Sequence, residues 1–414
     1  MSGTSLDGVD AALVDFSDGP AKLIAAHWQP YPADLKADLL ALNQPGQDEI
    51  DRAWQLGNRL ARIYADCIHP LLDKAPVSTR EIAAIGCHGQ TIRHHPERGY
   101  TVQIGNAALL AELTGIPVVH DFRSRDIAAG GQGAPLVPAF HAGVFAHPDI
   151  HRVIVNIGGI SNLTDLPPNG PVRGWDCGPG NLLMDAWCSR HLGCDYDTDG
   201  QIAAQHHSHS GLLAQLIAHP FFDNPPPKST GREDFDLCLA EAALVTDRKD
   251  SPKAGSVGGV MPPPGRPKVA FAPPQGEATV GSVGGVMPPP GRPKVAFAPP
   301  QGEATVGSVG VVLSTLLDLT LHGIVQDIRH HCPGCAEVWV CGGGAHHREL
   351  LRRLALALPE CRVGVTDTLG IPADWVEACA FAWLARQTLS GFAGNLPAVT
   401  GARGPRVLGS VAPA

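Results

Sequence analysis

Two patterns of apolar and polar positions alternate along the chain. Short apolar runs closed by glycine or polar turns ("EIAAIGCHGQT", "IPVVHDFRSRD", "HRVIVNIGGISNL", "AEVWVCGGG") predict strands buried on both faces. Between them lie longer segments with apolar residues at helical spacing. Over 48–75, Ala53, Leu56, Leu60, Ile63, Tyr64 and Cys67 fall on one face, which predicts an amphipathic helix. "RELLRRLALAL" and "VEACAFAWLARQTL" read the same way. Strands alternating with helices predict an α/β protein, and 414 residues exceed one simple core, so two domains are expected. Two such sheets, each with a Gly-rich loop at a strand end, would face each other across a cleft.

One segment obeys neither pattern. "GSVGGVMPPPGRPKVAFAPPQGEATV" occupies 255–280, recurs letter for letter at 281–306, and restarts as "GSVG" at 307–310. A solenoid unit keeps an apolar period while its surface letters drift. This unit is rich in Pro and Gly, without amphipathic period, and cannot bury enough apolar surface to order itself. The stretch 248–310 is therefore expected to be a disordered insertion between two helices, "FDLCLAEAALV" and "VVLSTLLDLTLHGIVQDIRHH", with a proline-rich docking segment as the functional alternative.

Composition narrows the function classes. "VGVVLSTLLDLTLHGIV" is interrupted by Asp318 and His322, so it reads as a buried helix rather than a membrane span. The N-terminus has neither the basic region nor the apolar core of a signal peptide; a cytoplasmic protein with its eleven cysteines reduced is expected. A net charge of −9 without a dense Lys/Arg block argues against nucleic acid as a partner. Cys332 and Cys335 form a C-x-x-C without a second pair at matching spacing, so loop and strand-end cysteines are expected rather than zinc ligands. The paired histidines at 94–95, 206–207, 330–331 and 346–347 lack the H-E-x-x-H arrangement and read mostly as solvated surface residues.

The candidate chemistry sits in the turns. "GTSLDGVD" (3–10) offers hydroxyls, carboxylates and unhindered backbone N–H groups; "NIGGISN" (156–162) repeats the idea; "CGGGAHHREL" (341–350) puts three glycines between a strand and a helix start. Three such turns at strand ends point to a nucleotide, while the absence of G-x-x-x-x-G-K-[ST] excludes a P-loop and a dinucleotide fold is disfavoured. In "GWDCGPGNLLMDAW" (174–187), Asp176 precedes a rigid Gly-Pro-Gly turn, where it can serve as a proton acceptor or merely brace the turn. Asn181 reads as a helix N-cap, and Asp185 as an anchor inside that helix. Polar residues crowd further strand ends. They include His88, Gln90 and Thr91, then Asp121, Arg123, Arg125 and Asp126, and the Lys228, Ser229, Thr230 and Arg232 of "PKSTGRE". Such groups suit a sugar-like ligand bearing a carboxylate.

Taken in order, "MSGTSLDGVD", "IGCHGQT", "QIGN", "DFRSRD", "GGQGAPLVP", "NIGGISNL", "DCGPGNLLMDAW", "PKSTGRE", "VCGGG" and "GNLPAVTGA" resemble the successive signatures of the anhydro-N-acetylmuramic acid kinases, from residue 1 to the C-terminus apart from 248–310. The resemblance implies two ribonuclease-H-like domains of the actin/Hsp70/hexokinase-like kind around a nucleotide cleft. Residues 1–122 with about 376–414 would form one, and 123–375 the other. It implies a kinase that uses ATP, Mg²⁺ and water to open 1,6-anhydro-N-acetylmuramate and phosphorylate O6, giving N-acetylmuramate 6-phosphate in cell-wall recycling. Carried over, Asp176 would be the general base. Gly3, Thr4, Ser5, Leu6, Asp7, Gly8, Val9 and Asp10 would cradle phosphates, with Asp7 or Asp10 near the metal. Gly158 and Gly159, and Gly342, Gly343 and Gly344, would lie along the nucleotide, and Gln90, Thr91, Arg125 and Asn162 on the sugar side. A homodimer is compatible with the sequence, which does not set the oligomeric state.

Two departures from the family pattern carry expectations. The family has a strand ahead of "MSGTSLDG", and this chain begins at the loop. A central strand lost there would leave neighbouring backbone groups unpaired, so the natural product is expected to start upstream of Met1. The tandem repeat is the second departure, tolerable because loop lengthening is cheap. The competing readings are an idle sugar- or nucleotide-binding relic and another small-molecule kinase of the same superfamily.

Overall fold

The first strand run forms an antiparallel hairpin of β1 (Gly8–Asp15) and β2 (Lys22–Pro30), paired from Gly8 opposite Pro30 to Asp15 opposite Lys22, with a bulge at Leu13/Val14. The expected loop over 3–10 thus ends at Asp7, and Gly8, Val9 and Asp10 are strand residues. The computed structural model describes residues 1–3, 6–17, 21–232, 234–250 and 306–414. Thr4 and Ser5, and most of the expected insertion over 248–310, lie outside them.

Helices α1 (Ala33–Leu42) and α2 (Glu49–Lys74) follow, and α2 matches the amphipathic reading of 48–75: Leu56, Leu60, Ile63, Tyr64 and Cys67 are buried on the predicted face. Then come β3 (Ile85–Gly86), the hairpin strands β4 (Gln90–His95) and β5 (Tyr100–Ile104), α3 (Ala107–Thr114) and β6 (Val118–His120). Leu6, Val9, Leu35, Leu60, Leu110 and Val118 belong to one hydrophobic cluster drawn from these elements. Among the described residues β1 pairs only with β2, and β3 only with β6.

Helices α4 (Ser124–Ala128) and α5 (Val137–Phe145) lead to β7 (Arg152–Ile157), β8 (Ile160–Leu166) and β9 (Arg173–Pro179). After α6 (Leu182–Leu192), α7 (Gln201–Ala204), α8 (Ser210–Ile217), α9 (Leu237–Asp250) and α10 (Val306–His331), the chain returns as β10 (Glu337–Cys341), α11 (Arg348–Ala357) and β11 (Arg362–Val365). The resulting five-stranded sheet has the order β11-β10-β7-β8-β9, parallel across its first three strands and antiparallel beyond. Residues 306–310, expected in the insertion, are instead the start of α10.

By length and composition α10 could cross a membrane, yet it packs against α6, α8, β9 and α11, as the buried-helix reading requires. Leu313, Leu316, Leu317, Leu319 and Ile324 are essentially inaccessible, and each such side chain contributes about 1.5–3 kcal/mol. The chain closes with α12 (Val376–Leu389), α13 (Pro397–Thr400) and β12 (Ser410–Ala412), which pairs antiparallel with β6. α12 packs against β1, β3 and α5. Its core residues join the larger hydrophobic cluster built around the five-stranded sheet. The α/β alternation read from the sequence is thus the architecture of the molecule.

Candidate active site

Register across the five-stranded sheet sets one row of side chains side by side. Cys341 lies opposite Asn156, Asn156 opposite Asn162, and Asn162 opposite Asp176. Directly opposed residues share a sheet face, and the Cys341 thiol reaches the Asn156 amide oxygen at 3.8 Å. Asn156, Asn162 and Asp176 are half-buried between strand neighbours that are mostly buried. A polar row in such strands is unexpected unless it meets a ligand.

Asp176 is held from outside its sheet. Ser229 Oγ donates to Oδ2 at 2.9 Å and the Thr230 N–H donates to the same oxygen at 3.0 Å, while the Asp176 N–H donates to Lys228 O. Burial pushes the carboxyl pKa up, and the Thr230 and Ser229 donors pull it partly back. The result is a carboxylate poised above its ordinary range, with Oδ1 receiving no hydrogen bond from the described residues. The expected turn-borne carboxylate is therefore a strand residue, because β9 runs on through Pro179.

Three glycine turns converge beside this row. The N–H groups of Gly180 and Asn181 donate to Gly159 O and Gly158 O, each at 2.8 Å, docking the Gly-Pro-Gly-Asn turn on the β7–β8 turn. A Cβ on Gly180 would run into Gly158 O. Gly342 has φ +76°, and a Cβ there would overlap the Asn156 side chain, so only glycine fits. Gly344 packs on Ile157, and Gly343 lies by the Asn181 amide. Asn181 stands at the start of α6 but does not cap it: its Nδ2 donates to Ile157 O at 3.3 Å. The position is the expected N-cap, but the side chain joins two turns and makes no capping bond. His347, expected on the surface, is buried, and its Nδ1 accepts the Leu350 N–H at the start of α11.

The N-terminal loop meets the His-Gly-Gln-Thr turn. Ser2 Oγ donates to Gly89 O at 3.1 Å, and Gln90 Nε2 donates to Gly3 O at 3.3 Å. Leu6 and Val9 bury their side chains in the core, so what they can offer a ligand is backbone. Asp7 is exposed. Asp10 instead lies within electrostatic reach of Glu377, a residue the sequence reading did not select. Burial and then Asp10 push the Glu377 carboxyl up, opposed by Arg123; Asn156 Nδ2 reaches it at 3.5 Å. Glu377 therefore joins the sheet row to β1. An acidic residue near the start of an otherwise apolar helix was the signal available for it.

Arg123, rather than Arg125, is tied into this cluster. Its guanidinium donates to His88 Nε2 at 2.9 and 3.1 Å and to Gly133 O at 2.7 Å, whereas Arg125 is exposed. Thr91 accepts from Gln103 Nε2 at 3.1 Å, and no hydrogen bond among the described residues links Thr91 or Arg125 to Asp176. Cys87, His88, Gln103, His120, Asp121 and Ser124 line a cavity of about 240 Å³ on this side. Among the described residues no group of three or more His, Cys, Asp or Glu is arranged to hold a metal.

The model of the anhydro-N-acetylmuramic acid kinase family matches residues 1–257 and 302–414. The unmatched stretch, 258–301, lies inside the expected insertion and is narrower than it. A protein of Thiobacillus denitrificans named anhydro-N-acetylmuramic acid kinase is 50% identical over 415 residues, covering 100% of this chain and 96% of its own. Those of Nitrosospira multiformis and Nitrosomonas europaea, so named too, are each 49% identical over 416 residues, covering 100% of this chain and 98% of their own. With its polar row, its braced carboxylate and its three converging glycine turns, the chain belongs to the anhydro-N-acetylmuramic acid kinase family.

Proposed function

We propose that the protein is an ATP-dependent kinase that opens 1,6-anhydro-N-acetylmuramate with water and phosphorylates its O6, yielding N-acetylmuramate 6-phosphate and ADP. The observation that carries this is Asp176, with Oδ2 occupied by two donors and Oδ1 left to accept a proton. Asp176 takes that proton from water as the water oxygen bonds to C1. The C1–O6 bond breaks, and O6 takes the γ-phosphoryl group while ADP leaves. A base works best with a pKa lifted toward the working pH, which is the direction burial moves Asp176.

Gly158, Gly159 and Gly343, where an added Cβ would meet no atom nearer than 3.5 Å, would lie along the nucleotide, and Asn162, beside Asp176, would face the sugar. Asp10 and Glu377 fit a divalent cation. Burial first, and the Asp10 charge second, disfavour ionisation of Glu377, and Mg²⁺ is commonly held by one or two carboxylates plus phosphate. When bound, it neutralises charge on the transferred group. Two ribonuclease-H-like domains, 1–122 with 376–414 and 123–375, would place these walls across a cleft, with α12 packed against β1 and β3 of the first and α5 of the second. The intact Asp176 and glycine turns count against an idle binding relic.

The test is ADP release from Mg-ATP with and without the anhydro sugar, on the parent and on Asp176→Asn. Sugar-dependent release in the parent, reduced roughly 10³-fold or more in the variant, is expected for loss of the base, at the upper part of the range for general-base catalysis. Equal rates in the two proteins would remove Asp176 from the mechanism.

A further inference from the structure

The loop that grips Asp176 is itself anchored by a side chain that never touches the carboxylate. Lys228 O accepts the Asp176 N–H at 3.0 Å, and the next two residues supply the donors to Oδ2. The Lys228 ammonium lies 3.0 Å from Asp327 Oδ1 and 4.8 Å from the centre of the Phe221 ring. The Lys228 and Asp327 side chains are 4% and 3% exposed. The thiol of Cys177, next to Asp176 along β9, is pushed up in pKa by burial and then by the Asp327 charge. One carboxylate on α10 thus lies beside the strand that carries Asp176 and anchors the loop that braces it.

We infer that the buried Lys228–Asp327 pair is a positioning device for Asp176, holding residues 228–230 so that the Ser229 hydroxyl and Thr230 N–H stay on Oδ2. The inference rests on Asp176 being the base proposed above. A buried ion pair is a poor source of net stability, and replacing both partners by apolar residues of similar volume is often neutral. That property separates positioning from mere stabilisation. Removing the whole pair is therefore expected to leave the fold standing, while the loop loses its anchor.

The experiment measures the pH dependence of kcat, KM for ATP and sugar, and thermal unfolding for the parent, Lys228→Met/Asp327→Leu, Asp327→Asn and Lys228→Arg. In the folded double variant kcat is expected to fall roughly ten- to a hundred-fold, the loss typical of small misplacement of a reacting group, with KM for ATP unchanged. Its acid limb is expected to move to higher pH, because the two donors that favour the ionised carboxylate are loosened. Lys228→Arg, which keeps a cation, recovers part of kcat. Should the double variant not fold, Lys228→Arg, which keeps both charges but reshapes the anchor, and Asp327→Asn, where it folds with the cation it leaves unpaired, are expected to show the same limb movement with a smaller loss. Parental kcat and an unmoved acid limb in whichever of these folds overturn the inference. A parent without sugar-dependent ADP release overturns the functional reading first, and the inference with it.

Discussion

A buried imidazole must be neutral to accept hydrogen bonds from a guanidinium, and His88 is one such group. Burial, reinforced by Arg123, holds its pKa well below the ordinary histidine value. The folded protein therefore resists a proton that the unfolded chain takes up near pH 6.5. This contribution to stability is present above about pH 6.5 and is lost as pH falls below it. His141, pushed down to about 3 by burial, acts in the same direction. The parent is expected to lose stability between pH 7 and pH 5. His88→Gln keeps an acceptor for Arg123 but no titrating ring, and its melting temperature is expected to fall less over that interval, by about 1–3 °C. Parallel melting curves for the two proteins at both pH values would show that His88 does not carry the acid sensitivity. The same burial that makes His88 an acceptor hides it from a reading of the sequence, which identified its turn but not its bond to Arg123. Arg125 was favoured over Arg123 because exposure cannot be told apart for two arginines two residues apart.

Helix α6 presents the opposite sign. Asp185 lies within it, and burial, with Asp195 second, raises its pKa to about 7. The folded state holds this proton more tightly than the unfolded chain, so the contribution is fully present below about pH 4 and is lost as pH rises through 7. Asp185→Asn removes the charge and is expected to raise the melting temperature at pH 8 by about 2–5 °C, with little change at pH 5. A variant less stable than the parent at pH 8 would mean that Asp185 makes a bond in its ionised form that outweighs burial. The helices and long strands were legible because their periods are local: α2, α10, α11 and α12 all lie where apolar spacing put them. What was not legible depends on register. The row Cys341–Asn156–Asn162–Asp176 joins four strands from two regions of the chain, 152–179 and 337–341, and only the pairing brings Asn156 to Asp176's face. Asn181 stands at the N-cap position of α6 as read, but its amide donates to a carbonyl across the turn and it makes no capping bond. The role of the C-terminal "GNLPAVTGA" is likewise set by a distant partner, since Asn395 and Thr400 donate to the buried Asp126 at 2.6 and 2.7 Å.

The assembled protein brings two hydrophobic clusters together, one under the N-terminal hairpin and α2, the other around the five-stranded sheet, with α12 against elements of both. Every candidate functional residue among those described belongs to the stretches 1–257 and 302–414 that the family model matches. The remaining stretch, 258–301, lies between α9 and α10 in the chain, and Lys228, Ser229, Thr230 and Asp327, the groups that brace Asp176, all lie outside it. Removing it shortens the α9–α10 connection about five-fold. Loop-closure entropy then changes by about 1–2 kcal/mol, in the stabilising direction. A chain lacking 258–301 is therefore expected to fold, to melt within a few degrees of the parent, and to keep sugar-dependent ADP release within about two-fold. The measurement is the same pair of assays on the shortened and full-length chains. A shortened chain that folds but turns over ten-fold slower would show that the repeat acts on the active site, since thermal unfolding separates that outcome from a loss of stability. Retained turnover would confine the machinery to the two stretches that the chain shares with its family.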